Sequence, residues 1–399
     1  MAWQCINKRL YLFQNRLPAL LCAIIDCLGR WSVGIFIPRK KKVDHVNVRK
    51  ILISRPDHLG DVVMTTAVLS LIKQSFPQAA IHMLVGSWSK DLLDSIGGID
   101  KVIYYDNFYL NRNAIPGWKK FFLSLSQIPS VVRILLQEKY DLGIEFRPFF
   151  GNTILLMWLG RVRYRLGYGT AGMGFLLHKE GCFLPGRHFI ENMLHLLSQI
   201  GVSSEYCIPS THLVCPREDV RNKMVSLIST DQNPGKGRLK ILIHPGAGKA
   251  ESLWDNKKWA RLADVLMNKY KATIIISGGP DERACAEKIA QDMKNKSINL
   301  AGRLSIGEFI CLTTLVDFVI ALDSFGAHVS AANGTATVVI HAGIQDYEIF
   351  KPYGPKVLPV THAVDCSPCW YGCPQMHCIR DIDVDDVAKK IEEGISGRF

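Results

Sequence analysis

The residues of this chain that could do chemistry sit where apolar runs meet helical patterns. The stretch Ile51–Pro77 reads ILISRPDHLGDVVMTTAVLSLIKQSFP. The apolar run Ile51–Ile53 stops at a polar loop ending in Gly60-Asp61, and Val63, Ala67, Leu71 and Phe76 then recur near helical spacing. This predicts strand, tight loop, helix. In an open α/β sheet such a junction lies at the carboxyl end of a strand, where ligands bind. A carboxylate there, Asp61, can act on a group held in a cleft.

Three further junctions follow in the second half. KILIHPGAGKAESLWDNKKWARLADVL is strand, glycine-rich loop and helix, with Gly246, Gly248 and Lys249 in the loop. Backbone N–H groups there, with the positive end of the next helix, suit phosphate oxygens. IIISGGPDER carries Asp281 and Glu282 just past a strand end, where a carboxylate can accept from ribose hydroxyls. In FVIALDSFGAHVSAANG, Asp323-Ser324 closes a strand and Gly326-Ala327-His328 opens a helix, with Ser324 placed to cap it over a pyrophosphate. A glycine-rich turn before a helix is more often a plain connection, and an isolated histidine is more often packed than bound to a ligand. The ordered series carries the weight.

Strand–helix alternation must position these residues. Candidate strands are Ile51–Ser54, Ile81–Val85, Val102–Tyr105 and Leu142–Phe146, and then Lys240–His244, Thr273–Ser277, Ile298–Leu300, Phe318–Leu322 and Thr337–His341. Such alternation argues for parallel sheets with helices on both faces. The polar Ser229–Arg238 segment reads as a linker between two doubly wound units. The expected organisation is an N-terminal helical segment (1–45), one Rossmann-like domain (46–228), a second (239–380) and a closing helical segment (381–399) that returns to the first domain. The closing helix itself is expected over Val384–Ile395.

With 399 residues, 48% of them hydrophobic and 21% charged, the chain is globular and long enough for two cores. Its net charge of +12 favours anionic partners. No RNA-module signature, zinc-finger spacing or heptad basic region accompanies that charge, so nucleic acid is not the expected partner. Twelve scattered cysteines fit reduced thiols in a large intracellular chain. Near the start, Leu17–Ile37 is apolar and is followed by Arg39-Lys40-Lys41-Lys42. Asp26 and Arg30 at its centre make a membrane-spanning helix costly, and no A-x-A cleavage site follows. An interfacial helix with a basic flank fits best, against the alternative of a helix packed on the protein's own surface.

The ordered motifs resemble glycosyltransferase family 9, the ADP-heptose:lipopolysaccharide heptosyltransferases. The residues that carry the likeness are Arg55 with Leu59-Gly60-Asp61-Val62 and Thr65-Thr66, His244-Pro245-Gly246, Trp254 with Trp259, Gly278-Gly279-Pro280, Asn299-Leu300-Ala301-Gly302, and Asp323-Ser324, His328 and Ala331-Ala332. The resemblance implies a GT-B fold, two Rossmann-like domains facing across a cleft. It implies inverting transfer of heptose from a nucleotide sugar to a lipid-linked glycan acceptor, with no metal or cofactor, by a peripheral enzyme at the cytoplasmic face of the inner membrane. Asp61 then looks like the general base. Gly246, Gly248, Lys249, Asp281, Asp323, Ser324, Gly326 and His328 look like the donor site, and Arg55 joins the acceptor side. Two departures are Ser252 where the family usually has Lys or Arg, and Phe325 where it usually has Gly. Other readings are a UDP- or GDP-sugar donor for a different surface glycan, or a non-catalytic sugar-nucleotide-binding partner.

Other signals remain. Arg147, Arg161, Arg163, Arg165 and Arg187 read either as an acceptor-side loop meeting phosphates and carboxylates of a lipopolysaccharide core or as a solvated basic face. Gly167–Gly172 matches G-x-G-x-x-G but follows no first strand, which argues against a dinucleotide site. Cys366, Cys369, Cys373 and Cys378 read as a tetrahedral zinc site, as an oxidation-sensitive knuckle, or as a loop of reduced thiols packed against the last helix.

Overall fold

The computed structural model describes residues 4–6, 9–12, 16–33, 37, 43, 45–113, 115–203, 213, 217–229, 239–369, 373 and 375–397. They form two compact units, Met1–Lys90 with Gly98–Ser210, and Asp91–Gly97 with Thr211–Phe399. Along the first half run β1 (Gln4–Ile6), β2 (Arg9–Tyr11), α1 (Arg16–Ser32), β3 (Lys50–Ser54), α2 (Leu59–Thr66), α3 (Leu69–Ser75), β4 (Ala80–Val85) and α4 (Lys90–Leu93). Next come β5 (Lys101–Tyr104), α5 (Gly117–Glu138), β6 (Leu142–Glu145), α6 (Ile154–Leu159), β7 (Tyr164–Tyr168), β8 (Lys179–Gly181) and α7 (Phe189–Ser198). The second half holds α8 (Glu218–Ile228), β9 (Lys240–His244), α9 (Asn256–Tyr270), β10 (Thr273–Ile276), α10 (Arg283–Asp292), β11 (Ile298–Asn299) and α11 (Ile306–Thr313). It closes with β12 (Phe318–Leu322), α12 (Phe325–Ala332), β13 (Ala336–His341), α13 (Tyr347–Phe350), β14 (Val357–Thr361), α14 (His377–Arg380) and α15 (Val384–Ile395).

Each unit is built on a six-stranded sheet, ordered β5-β4-β3-β6-β7-β8 in the first and β11-β10-β9-β12-β13-β14 in the second, with every pairing parallel. The order is the same in both: the chain starts mid-sheet, winds to one edge, then crosses back and winds to the other. The reversal leaves a crevice between the first and fourth strands at their carboxyl ends. Strands β3, β9, β12 and β13 are apolar runs buried on both faces, as central parallel strands must be.

Helices on the two faces of the first sheet follow from right-handed crossovers. Helices α5 and α6 share one face, where Val131, Leu135, Leu156 and Met157 pack on Leu52, Leu84 and Ile103. Helix α1 joins that side: Gly29 lies so close to the Phe175 ring that a Cβ would stand 2.4 Å from it. Asp26 and Arg30 point inward. Asp26 is buried beneath the Tyr11 hydroxyl at 3.0 Å, and Arg30 pairs with Glu180 at 2.9 Å. The apolar arc faces out. Among the described residues no helix is long and apolar enough to cross a membrane.

The structure corrects several expectations. Tyr164–Tyr168 is a buried strand, so Arg161–Arg165 is no flexible loop, and β8 and β14 were not anticipated. The helix after β3 is two short helices broken at Ala67-Val68. Helix α8 belongs to the second unit, where Lys223 pairs with Glu308 on α11, so the division falls at Ser210 and not at 228. Residues 230–238 of the expected linker and the basic run 39–42 lie outside the described residues. Helix α15 has the expected bounds. Val384, Val387 and Ile391 enter the second unit's core, and the Ile382 carbonyl just before α15 accepts from Trp254 Nε1 at 3.0 Å. Replacing Ile391 with Ala should lower stability by about 2–5 kcal/mol. Hydrogen exchange should then speed up in α9, β13 and β14; unchanged exchange in those elements would contradict this packing.

Candidate active site

At the carboxyl end of β3 the chain buries a charge. Arg55 has its backbone N–H on the Leu84 carbonyl and its guanidinium inside the unit. Nη1 donates to the Phe146 carbonyl at 2.7 Å, Nη2 donates to Asp61 Oδ1 at 2.8 Å, and Nε lies 3.1 Å from Asp57 Oδ2. The Phe189 ring of α7 covers it at 4.3 Å. Burial presses the Arg55 guanidinium down, while the charges of Asp61 and Glu145 hold it up.

The fourth strand supplies the rest. Glu145 ends β6 fully buried; it accepts from the Arg147 amide at 3.0 Å and from the Thr153 amide and hydroxyl at 2.6 and 2.7 Å. Burial pushes its carboxyl up, and those hydrogen bonds with the Arg55 charge pull it back. Arg147 pairs with buried Asp57 and donates through Nε to the Phe150 carbonyl at 2.7 Å. Asp61 itself stands in the first turn of α2, its side chain 20% exposed. Its Oδ2 carries no hydrogen bond among the described residues. Arg112, exposed to solvent, is near enough to feel the Asp61 charge. The arrangement is a carboxylate clamped through one oxygen and open at the other.

In the second unit the strand ends crowd together. His244 closes β9, with Nδ1 3.1 Å from the Ser277 hydroxyl that follows β10. Gly326, at the start of α12, lies against its ring, and a Cβ there would meet Cδ2 at 2.5 Å. Only glycine allows β9 and α12 to approach this closely. The Glu282 carboxylate sits against Gly246 and Gly278, again too close for a Cβ at Gly246, and accepts from the Gly279 amide at 2.7 Å. Asp323 follows β12 and pairs with His341 Nδ1 at 3.0 Å, while His341 Nε2 lies 3.2 Å from the Gln345 carbonyl. Ser324 precedes α12 without capping it, and its buried Oγ has no hydrogen-bond partner among the described residues. His328 is buried one turn into α12. A polar hydroxyl left over beside a helix N-terminus is an arrangement suited to an anion.

The structure thus gathers Arg55, Asp61 and Arg147 at the first crevice, and Gly246, Asp323, Ser324, Gly326 and His328 at the second. Gly248 and Lys249 stand exposed in the loop beyond β9. One expectation is corrected. Arg163 is at the amino ends of the strands, 69% exposed and paired with Asp141 at 3.3 Å, so it lies on the sheet edge away from Asp61. Asp281 is exposed, and the acid turned onto the strand ends is its neighbour Glu282. Arg165 is spent on the Leu176 and Val162 carbonyls. Gly167–Gly172 ends β7 and opens no α-helix. Sequence reasoning missed Asp57, Glu145, Ser277 and His341; each ends or follows a strand, which was the available signal. Among the described residues no group of three His, Cys, Asp or Glu is placed to hold a metal ion. Cys366, Cys369, Cys373 and Cys378 are free thiols, whereas Cys311 is disulfide-bonded, against the expectation of uniformly reduced cysteines.

A model of glycosyltransferase family 9 (heptosyltransferase) matches residues 128–378, across both units. The chain belongs to glycosyltransferase family 9. It is a glycosyltransferase, and its paired six-stranded sheets are those of the GT-B fold. Lipopolysaccharide heptosyltransferase 3 of Escherichia coli (strain K12) is 25% identical over 304 residues, covering 75% of this chain and 84% of that protein. Among solved structures, a family 9 glycosyltransferase from Veillonella parvula DSM 2008 superposes with a TM-score of 0.72 at 18% identity, covering 90% of this chain and all of that one. The E. coli ADP-heptose LPS heptosyltransferase II superposes with a TM-score of 0.69 at 17% identity, covering 87% and 99%.

Burial holds the His244 imidazole of this family 9 enzyme below its ordinary value of 6.5, against the opposing pull of Glu282. The unfolded chain therefore takes up that proton at a higher pH than the folded one. The stability linked to His244 is intact above an unfolded value of about 6.5 and falls as the pH drops toward the folded pKa. His244→Gln should flatten the fall of the thermal midpoint between about pH 7 and 5; an acid limb as steep as the parent's would contradict this.

Proposed function

We propose that this enzyme transfers heptose from ADP-heptose to a lipopolysaccharide inner-core acceptor, with inversion at the anomeric carbon. The observation that carries the reading is Asp61: a carboxylate at the carboxyl end of the first strand, locked by Arg55 through Oδ1 and open at Oδ2. An acceptor hydroxyl hydrogen-bonded to Oδ2 gives up its proton there as its oxygen attacks the anomeric carbon, and the sugar–phosphate bond breaks on the opposite side. Charge develops on the departing nucleoside diphosphate. The first N–H groups of α12 and the Ser324 hydroxyl are the groups suited to receive it. Arg55 and Arg147, both buried and paired, hold Asp61 and the Phe150 loop in place on the acceptor side, and Glu282 is the carboxylate suited to the ribose hydroxyls. The family match begins after Asp61, so its role rests on this geometry and on the motif around it. The relatives' names support the sugar and the acceptor class: one is a lipopolysaccharide heptosyltransferase, another an ADP-heptose heptosyltransferase. Such an acceptor is lipid-anchored, and the outward apolar arc of α1 supports peripheral attachment at the cytoplasmic face of the inner membrane.

Asp61→Asn keeps the hydrogen bond from Arg55 and removes the base. It should lower kcat by about a hundred- to ten-thousandfold with ADP affinity within about twofold of the parent. Turnover that survives this change would remove Asp61 from the role. In calorimetric titration with ADP, Glu282→Ala should weaken binding about tenfold, and Asp281→Ala should leave it within about twofold. The reverse pattern would return the ribose contact to Asp281.

A further inference from the structure

Amphipathic helices on a protein surface turn their apolar side inward. Helix α1 does the opposite. Ala19 and Asp26 are buried and Arg30 is paired, whereas Leu20, Ile24 and Leu28 are exposed and Trp31 is 77% exposed. The same inversion continues across the sheet face that α1 shares with its neighbours. The end of α1 and the start of α6 meet in one small cluster, where Val33 and Trp158 pack against Ile154 and Leu176, and α6 leaves Leu155 and Leu159 outward. Helix α6 packs in turn on α5, with Gly160 pressed against the Leu135 side chain. Helix α5 carries an exposed stripe at helical spacing: Trp118 and Phe122, 63% and 62% exposed, then Leu125 and Leu136.

Charge on this face has one sign. Helix α6 has no charged residue. The carboxylate of α1 is the buried Asp26, and the carboxylate of α5, Glu138, is taken up by Lys50 and Lys101 at 2.6 Å each. Exposed Lys119 lies over the Trp118 ring at 5.4 Å, the pairing of aromatic and ammonium that suits the headgroup layer of a bilayer. The face also leads somewhere. Edge-to-face aromatic contacts run from Trp118 to Phe122, Phe121, Phe108 and Phe150, and the Phe150 carbonyl holds Arg147.

We propose that α1, α6 and α5 together form a bilayer-docking face, seating the first unit on anionic lipid so that the aromatic path runs from the headgroups to the Arg147 edge of the acceptor site. The proposal rests on the peripheral attachment given above and extends it from one helix to three. A lipid-anchored acceptor then keeps its chains in the leaflet while its sugar follows that path toward Asp61.

The test is flotation of the full chain with vesicles of phosphatidylcholine alone and of phosphatidylcholine with phosphatidylglycerol. The parent should bind only the anionic vesicles. The variants are Trp118→Ser with Phe122→Ser on α5 and Leu20→Ser with Ile24→Ser on α1; all four side chains are exposed, and unchanged ADP titration checks that each protein is folded. Each variant should bind about tenfold less than the parent. An α5 variant that floats like the parent would overturn the three-helix face while leaving attachment by α1 intact. A parent that ignores anionic vesicles would overturn both. Self-association of the parent that the α5 variant abolishes, without vesicle binding, would make the face a contact between copies and overturn the proposal. None of these outcomes touches the sugar-transfer reading, which turnover in detergent tests separately.

Discussion

The first unit is organised around one buried guanidinium. Arg55 is covered by Phe189 and ties β3 to the Phe146 carbonyl beyond β6, to Asp57 in its own loop and to Asp61 on α2. Burying a charge costs several kcal/mol unless it is fully paired, and losing one partner of such a group typically costs about 3–5 kcal/mol. The network is therefore close to all-or-none. Asp57 is shared between Arg55 and Arg147, and Glu145 stands behind both, so two cations and two buried carboxylates balance one another. The third carboxylate is Asp61, paired with Arg55 through one oxygen. Its orientation follows from a charge that has nowhere else to go.

The second unit reaches the same topological place by a different device. It uses close backbone approach. Gly246 admits the Glu282 carboxylate, and Gly326 admits the His244 ring, so that β9, β10 and α12 converge at one point. The unpartnered Ser324 hydroxyl and the α12 amides then face a space suited to an anion. Identical strand order in the two sheets puts both constructions at a carboxyl-end crevice. One crevice fixes a carboxylate, and the other offers hydrogen-bond donors.

Much of this was legible in the sequence because parallel sheets write themselves as short apolar runs. The runs at 51–54, 240–244 and 318–322 are strands, and the periodic 384–395 is a helix with the expected bounds. What the pattern does not carry is the partner. The apolar stripe of α15 announces burial but not against which unit, and it enters the second unit's core. Strand β7 was hidden by its arginine: Arg165 is buried because its guanidinium reaches two backbone carbonyls, which no hydropathy pattern records. Asp281 and Glu282 are adjacent acids after the same strand, and only the turn that follows decides which one faces inward. Arg163 failed for a simpler reason. It precedes its strand, and in a parallel sheet the residues before a strand lie on the edge opposite the ligand.

The measurement that bears most directly on the account is the stereochemistry of transfer. The purified enzyme would be given ADP-heptose and a core acceptor lacking heptose, and the anomeric configuration of the new linkage would be read from its one-bond carbon–proton coupling. A single base at Asp61, with the leaving diphosphate received on the other side, predicts one added heptose with configuration opposite to that of the donor. Retained configuration, or transfer from a UDP- or GDP-sugar and none from ADP-heptose, would contradict it.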